Sequence, residues 1–260
     1  MVAMSTLNTL LVQAQLCWRD PSRNRDHLQS LLAETEGDFD LAVFPETFTT
    51  GFMGDSERTD EDMGGATVAW MRAMASDHQC AIAGSAVIVE NGHRYNRMMF
   101  VTPGGEITTY DKRHLFAFAG EHRHYSAGND RVIVDYRGWR INLQVCYDLR
   151  FPAWCRNHDD YDLMLLVANW PAKRVHHWSA LLEARAIENQ SWVVAVNRVG
   201  DDGNGIHYPG CSVVHDPMGA RILELGDQEE CRRVSIHRAI VDETRAQFPF
   251  LKDADRYRIE

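Results

Sequence analysis

Three segments of this 260-residue chain each place a side chain that can do chemistry where a strand ends. Leu41-Ala42-Val43-Phe44-Pro45-Glu46 delivers a carboxylate after a proline, and Tyr110-Asp111-Lys112-Arg113-His114-Leu115-Phe116 delivers an amine. Ile141-Asn142-Leu143-Gln144-Val145-Cys146 delivers a thiol and continues as Tyr147-Asp148-Leu149-Arg150-Phe151-Pro152. A thiol of ordinary pKa, about 8.5, is only a few per cent thiolate at neutral pH, so a nucleophilic cysteine needs a base or a cation beside it. Histidine is the usual partner. The chain has 12, none in a recognisable cysteine–histidine signature, so spacing leaves the partner open. Taken singly, each residue has a plainer reading. Cys146 suits a buried small hydrophobe at a strand end, Glu46 a solvated loop carboxylate or helix cap, and Lys112 a surface charge.

For these residues to meet, strands must carry them to a common end, because the carboxyl ends of strands are where α/β proteins hold ligands. Residues 7–16 alternate as a strand. Ser22 offers an N-cap to a helix whose one face carries Leu28, Leu31 and Leu32. Residues 40–44 form a short buried strand stopping at Pro45-Glu46, 68–76 a helix and 80–89 a strand. Residues 97–102 and 106–110 flank Pro103-Gly104-Gly105, a hairpin signal. Residues 131–135 and 139–145 are strands around Arg137-Gly138, and 163–168 is a buried apolar strand. A long helix then runs to Gln190 through Trp178, Leu181, Leu182, Arg185 and Ile187. Strands at 192–196, 211–215, 221–225 and 233–237 complete the pattern, with Asp216-Pro217-Met218-Gly219 turning between two of them. Apolar runs of this kind are buried on both faces, which predicts mixed sheets under helices.

Composition narrows the function. With 45% hydrophobic and 25% charged residues the chain is an ordinary globular protein, and we read residues 1–260 as one domain. There are 27 basic and 37 acidic residues, a formal charge of −10, which repels nucleic acid and anionic membrane surfaces. No apolar run approaches the roughly 20 residues of a membrane span. The start, MVAMSTLNTLLVQAQ, lacks a basic region and a cleavage site, which predicts no export signal and a cytoplasmic location. The six cysteines are then expected as free thiols, Cys80 and Cys155 simply structural.

Taken together, the three segments resemble the nitrilase superfamily, the carbon–nitrogen hydrolases. Its motifs are a Glu after an apolar strand and Pro, a Lys in a Tyr-x-Lys-x-x-Leu-type segment, and a Cys in a Cys-Tyr-Asp-x-Arg-Phe-Pro-type segment. All three are here, in order, spaced by 66 and then 34 residues. Gly120-Glu121, nine residues after the Lys, matches the family's second glutamate. Leu166-Val167-Ala168-Asn169-Trp170-Pro171 and Ala184-Arg185-Ala186-Ile187-Glu188-Asn189-Gln190 match its post-cysteine strand and long helix. The resemblance covers about residues 10–225. It implies an α/β fold, a four-layer α-β-β-α sandwich of two mixed sheets, with a C-terminal tail over about 226–260. It further implies a homodimer or higher homo-oligomer, with the helix after Cys146, the helix over 172–190 and the tail as interface candidates. For the site it implies that Cys146 attacks an amide carbon and that Glu46 moves the protons. Lys112 and the backbone N–H of Tyr147 would hold the oxyanion, and Glu121 would orient Lys112 or the substrate nitrogen. No metal and no organic cofactor is required.

Rival signals are weaker. His122-Arg123-His124 and His176-His177 are the histidine clusters, without C-x-x-C, H-E-x-x-H or another ligand spacing, and read as surface or packing residues. Gly104-Gly105 and Gly203-Asn204-Gly205 read as turn glycines rather than a nucleotide loop. Arg185 and Glu188 read as a buried structural pair. A non-catalytic binding domain of the superfamily is the alternative from another class; intact Glu46, Lys112 and Cys146 argue against it. Within the superfamily the Cys146–Pro152 and Ala168–Pro171 stretches resemble the bacterial ω-amidase branch, as do Asn197-Arg198-Val199-Gly200 and Asp202-Gly203-Asn204-Gly205. That branch deamidates 2-oxoglutaramate and 2-oxosuccinamate to the acid and ammonia. Such a substrate needs a cation for its far carboxylate, and Arg150 and Arg174 are the nearest basic residues in sequence. Phe116 and Trp170 would wall the pocket. An N-carbamoyl or aliphatic amidase is the rival within the family.

Overall fold

The structure, a computed structural model, describes residues 6–52 and 60–259. In chain order the elements are β1 (Thr6–Gln13), α1 (Pro21–Glu34), β2 (Leu41–Val43), α2 (Ala66–Asp77), β3 (Ala81–Glu90), β4 (His93–Val101) and β5 (Ile107–Asp111). Then come β6 (Ile133–Tyr136), β7 (Trp139–Val145), α3 (Pro152–Cys155), β8 (Leu163–Ala168), α4 (Val175–Asn189) and β9 (Trp192–Asn197). Last are β10 (Val199–Asp201), β11 (His207–Pro209), β12 (Val213–His215), β13 (Arg221–Glu224), β14 (Glu230–His237) and α5 (Arg238–Gln247).

Two six-stranded mixed sheets, ordered β14-β1-β2-β3-β4-β5 and β13-β12-β9-β8-β7-β6, stand on one continuous apolar layer. The period of two along each strand explains how. Leu7, Leu11, Leu41, Val43, Ala81 and Ala83 of the first sheet meet Ile141, Leu143, Val145, Leu163, Leu165 and Val167 of the second. The alternate residues face outward under helices. Leu10, Val12, Ala42 and Ile82 pack on Leu28 and Leu32 of α1 and on Val68, Met71 and Met74 of α2. Met164, Leu166, Val193 and Ala195 pack on Trp178, Leu182 and Ala186 of α4. Strands buried on both faces read as unbroken apolar runs, and the outcome is the four-layer α-β-β-α sandwich expected.

The two sheets repeat one plan. In the first, β1, β2 and β3 are parallel, with β14 antiparallel on one flank and β4 and β5 on the other. In the second, β7, β8 and β9 are parallel, flanked by β6 and by β12 and β13. Glu46 follows β2 and Asn169 follows β8, the middle parallel strand in each case, so the carboxyl ends of both sheets supply the site.

Several local expectations change. The α1 N-cap is Asp20, not Ser22. Asp20 Oδ1 accepts the Arg23 N–H at 3.0 Å, and Pro21 fills the first helical position, where its missing N–H costs nothing. The first strand ends at Gln13 rather than Leu16. In the expected C-terminal tail the strand read at 233–237 begins earlier: β14 forms an eight-residue antiparallel ladder with β1, and α5 packs Val241 into the central core. Gly203-Asn204-Gly205 does turn the chain, but between two strands that went unread, β10 and β11. The expected Arg185–Glu188 pair forms, Arg185 Nη1 to Glu188 Oε1 at 2.9 Å. His176 and His177 are exposed, as is His122. All six cysteines are free. Among the described residues no helix is long and apolar enough to cross a membrane.

Candidate active site

Glu46, Lys112, Glu121 and Cys146 come together although their strands lie in two sheets. Past β2, Pro45 and a left-handed Thr47 (φ +40°) turn the chain sharply, with the Thr47 N–H held by Ser85 Oγ at 2.8 Å. This sets the Glu46 carboxylate in the interior with no exposure. Lys112 is the first residue past β5, its N–H donating to the Asn96 carbonyl at 3.0 Å. Its Nζ donates to Glu46 Oε1 at 2.8 Å and to both oxygens of Glu121 at 3.0 Å. Glu121 sits on a tight 3-10 turn, where it also accepts the Phe116 N–H. Cys146 opens another such turn directly after β7 and is itself left-handed, with φ +44°. A left-handed non-glycine residue stores strain of roughly 1–2 kcal/mol, and here the strained residue is the thiol that the turn points into the pocket.

Two asparagines complete the carboxylate's setting. Asn96 Nδ2 donates to Glu46 Oε1 at 2.8 Å, and the Asn169 N–H donates to Glu46 Oε2 at 2.8 Å. Asn169 Nδ2 also bonds the Glu46 carbonyl and Thr47 Oγ1, both at 2.9 Å, and the Cys146 thiol lies 3.9 Å from the Asn169 carbonyl. Sequence reading assigned neither asparagine a role. Asn96 lies within a strand without any motif, and Asn169 was noted only as part of a matching stretch. The signal that could have found Asn169 is its place just past a buried parallel strand, equivalent to that of Glu46.

Charge placement decides the protonation states. Burial alone would push the Lys112 ammonium down, but the charges of Glu121 and Glu46 outweigh it and hold its pKa well above the ordinary value. Lys112 is a cation. Burial raises the Cys146 pKa well above a normal thiol, and the Glu46 carboxylate pushes the same way against Lys112. The resting sulfur is therefore a protonated thiol beside a carboxylate, not a preformed thiolate. Burial likewise raises the Glu121 carboxyl, with Lys112 opposing.

A cavity opens onto this cluster. Its lining includes Phe116 and Trp170, the two expected walls, Arg150 and Arg174, the two expected cations, and Tyr147, expected there only for its backbone N–H; Phe52, Ile206 and Tyr208 line it as well and went unread. The unread β10–β11 hairpin delivers the last two. Each arginine lies over a ring: Arg150 at 4.8 Å from the Trp170 centroid, Arg174 at 5.1 Å from that of Phe116. Arg150 Nη2 also meets His177 Nδ1 at 3.1 Å. Among the described residues neither guanidinium has a carboxylate partner. Tyr147 packs edge-on to Phe116, centroids 4.9 Å apart.

Comparison with known proteins gives the family. The carbon–nitrogen hydrolase family model matches residues 9–246. The chain is 47% identical to Omega-amidase YafV of Escherichia coli (strain K12), covering 98% of this chain and 100% of that protein. It is 33% identical to 2-oxoglutaramate amidase of Bacillus subtilis (strain 168), covering 93% and 95%. The crystal structure of XC1258 from Xanthomonas campestris, a CN-hydrolase superfamily protein with an arsenic adduct in its active site, superposes with a TM-score of 0.96 at 46% identity. That match covers 99% of this chain and all of the other. With a family match over most of its length and the sandwich that the superfamily resemblance implied, the chain belongs to the carbon–nitrogen hydrolases.

Proposed function

We propose that the protein hydrolyses the terminal amide of small dicarboxylic monoamides, such as 2-oxoglutaramate and 2-oxosuccinamate, to the acid and ammonia. The observation that carries this reading is the pair of guanidiniums, Arg150 and Arg174, stacked on the walls of the cavity that ends at Cys146 and left without a carboxylate partner among the described residues. A substrate with one amide end and one carboxylate end matches that polarity, and the ω-amidase and 2-oxoglutaramate amidase relatives support it.

The reaction uses the cluster in two halves. Glu46 takes the thiol proton as Cys146 Sγ bonds to the amide carbon, and the oxygen gains charge facing the Lys112 ammonium and the Tyr147 N–H. Lys112 can turn one N–H to it, because two of its three serve a single carboxylate, that of Glu121. Glu46 then protonates the nitrogen, the C–N bond breaks and ammonia leaves a thioester. A water attacks that thioester, its proton going to Glu46. The C–S bond breaks and the proton returns to sulfur.

The test is kcat/KM on paired substrates. 2-Oxoglutaramate or succinamate should exceed propionamide by at least about 100-fold, the discrimination available when a site's buried charged contact is left unused by the uncharged amide. Arg150→Ala and Arg174→Ala should narrow that gap while leaving propionamide turnover nearly unchanged. Equal efficiency on propionamide, or preference for an N-carbamoyl substrate, overturns the substrate; no turnover of any amide overturns the reaction.

The same reading includes a cytoplasmic homodimer or higher homo-oligomer assembled through α4. On that helix Ile187 is 48% exposed, and the turn packed against it through Gly219 carries Met218, 53% exposed. Light scattering at micromolar concentration should give at least twice the chain mass, and a monomer would remove the assembly from the proposal.

A further inference from the structure

Asp148, two residues past the cysteine, is fully buried and accepts four hydrogen bonds from two separate segments. From the cysteine's own side, its Oδ2 takes the Val145 N–H at 3.0 Å. From the lysine's side come three: the Tyr110 hydroxyl to Oδ2 at 2.7 Å, the His114 N–H to Oδ1 at 3.0 Å, and His114 Nδ1 to the same oxygen at 2.8 Å. Tyr110 and His114 bracket Lys112 by two residues on each side. With a carboxylate oxygen opposite it, Nδ1 carries the proton in either charge state of the ring.

The ring is held tightly. It stacks on Phe151 at 3.6 Å and 6°, and meets Trp154 edge-on at 5.9 Å. Trp154 Nε1 in turn donates to the Tyr110 hydroxyl at 3.0 Å. β5 and β7 belong to different sheets, so no strand ladder fixes the end of one against the end of the other. The bonds converging on Asp148 do.

We propose that His114 is a positioning residue for the reaction, stapling the Lys112 segment to the strained Cys146 turn through Asp148. The inference rests on the reading of Cys146 and Lys112 as the reacting pair. A misplacement of about 1 Å between reacting groups can cost about 100-fold in rate, so a staple between nucleophile and oxyanion cation acts on kcat more than on KM.

Two polar replacements separate positioning from filling space. The amide nitrogen of Asn falls where imidazole Nδ1 lies, and that of Gln where Nε2 lies, so His114→Asn keeps the donor to Asp148 and His114→Gln loses it. His114→Gln should lower kcat about 30- to 100-fold with KM changed less than about threefold, and His114→Asn should recover to within about fivefold of wild type. If the Gln variant does not fold, His114→Phe, which keeps the stack on Phe151 without the donor, should show the same loss. Equal kcat in the Asn and Gln variants, or a loss confined to Tm, overturns the staple. A second readout needs no substrate. Lys112 opposes the rise of the Cys146 pKa, so drawing it away moves the pH profile of Cys146 alkylation by iodoacetamide upward in His114→Gln and not in His114→Asn. Superimposable profiles overturn the staple even if the amidase reading itself fails, which identical turnover by wild type and Cys146→Ala would reveal.

Discussion

Cys146→Ala should abolish amide turnover, a fall of about 10⁶-fold or to the limit of detection, as loss of a nucleophile does in other covalent hydrolases. The fold should persist. Cys146 is half-buried as a residue, its hydrogen-bond contact to the Asn169 carbonyl is long at 3.9 Å, and alanine bears the same left-handed strain as cysteine. A loss of about 1 kcal/mol would move Tm by roughly 2–4 °C in a chain of this size. Cys146→Ser should be nearly as inactive, because a carboxylate able to take a thiol proton is a poor base for an alcohol of far higher pKa. Glu46→Gln makes the informative contrast. It removes the proposed proton carrier, so turnover should fall by orders of magnitude. It also removes a negative charge that raises the thiol pKa, so iodoacetamide should alkylate Cys146 no more slowly than in wild type. Ammonia release and the mass of the cysteine adduct report the two separately. Turnover above a tenth of wild type in either Cys146 variant would refute the nucleophile.

What the sequence disclosed and what it hid divide along physical lines. Leu163–Ala168 was legible to the residue, because a strand buried on both faces is an unbroken apolar run with abrupt ends. Glu46, Lys112 and Cys146 were legible as three strand ends in order; individually their types say little. The β10–β11 hairpin was not legible as strands: each is three residues long, too short for alternation to register, although stretches in and before its turn matched the family. Yet that hairpin supplies Ile206 and Tyr208 to the pocket. Asn96 was hidden for a different reason. Its neighbours on β4 are strand residues, and nothing local says that its amide points at a carboxylate 50 positions earlier. The cap is Asp20 rather than the expected Ser22, two residues earlier. At the first helical turn proline is compatible, so the cap lies before it. Asp148 lay inside the motif around Cys146, but its four donors come from both sides of a sheet-to-sheet gap that one sequence cannot display.

Removing the Lys112 charge should have the largest combined effect on activity and stability. Lys112→Met loses the proposed oxyanion donor, an expected fall of about 10²–10³ in kcat. It also strands two carboxylates, Glu46 and Glu121, each with no exposure, around an apolar side chain. Breaking a buried ion pair from one side costs about 3–5 kcal/mol, far more than the loss of any exposed pair on this surface. The pH dependence carries a definite sign. Glu121 already has a folded pKa raised above its ordinary value, burial outweighing the opposing pull of Lys112, and without Lys112 that pull disappears. A group with a raised folded pKa contributes stability that is fully present below the unfolded value and is lost as pH rises through the folded value. Lys112→Met should thus be more stable near about pH 5 than near about pH 8. The slope should approach about 1.4 kcal/mol per pH unit as Glu121 titrates, and wild type should show a smaller slope of the same sign. Adding Glu121→Gln to Lys112→Met removes one stranded charge and should restore part of the stability at the higher pH without restoring turnover. Denaturant unfolding at both pH values reads all three proteins. A pH-independent deficit in Lys112→Met, or no recovery in the double variant, would mean that the buried carboxylates are neutralised by something other than this lysine.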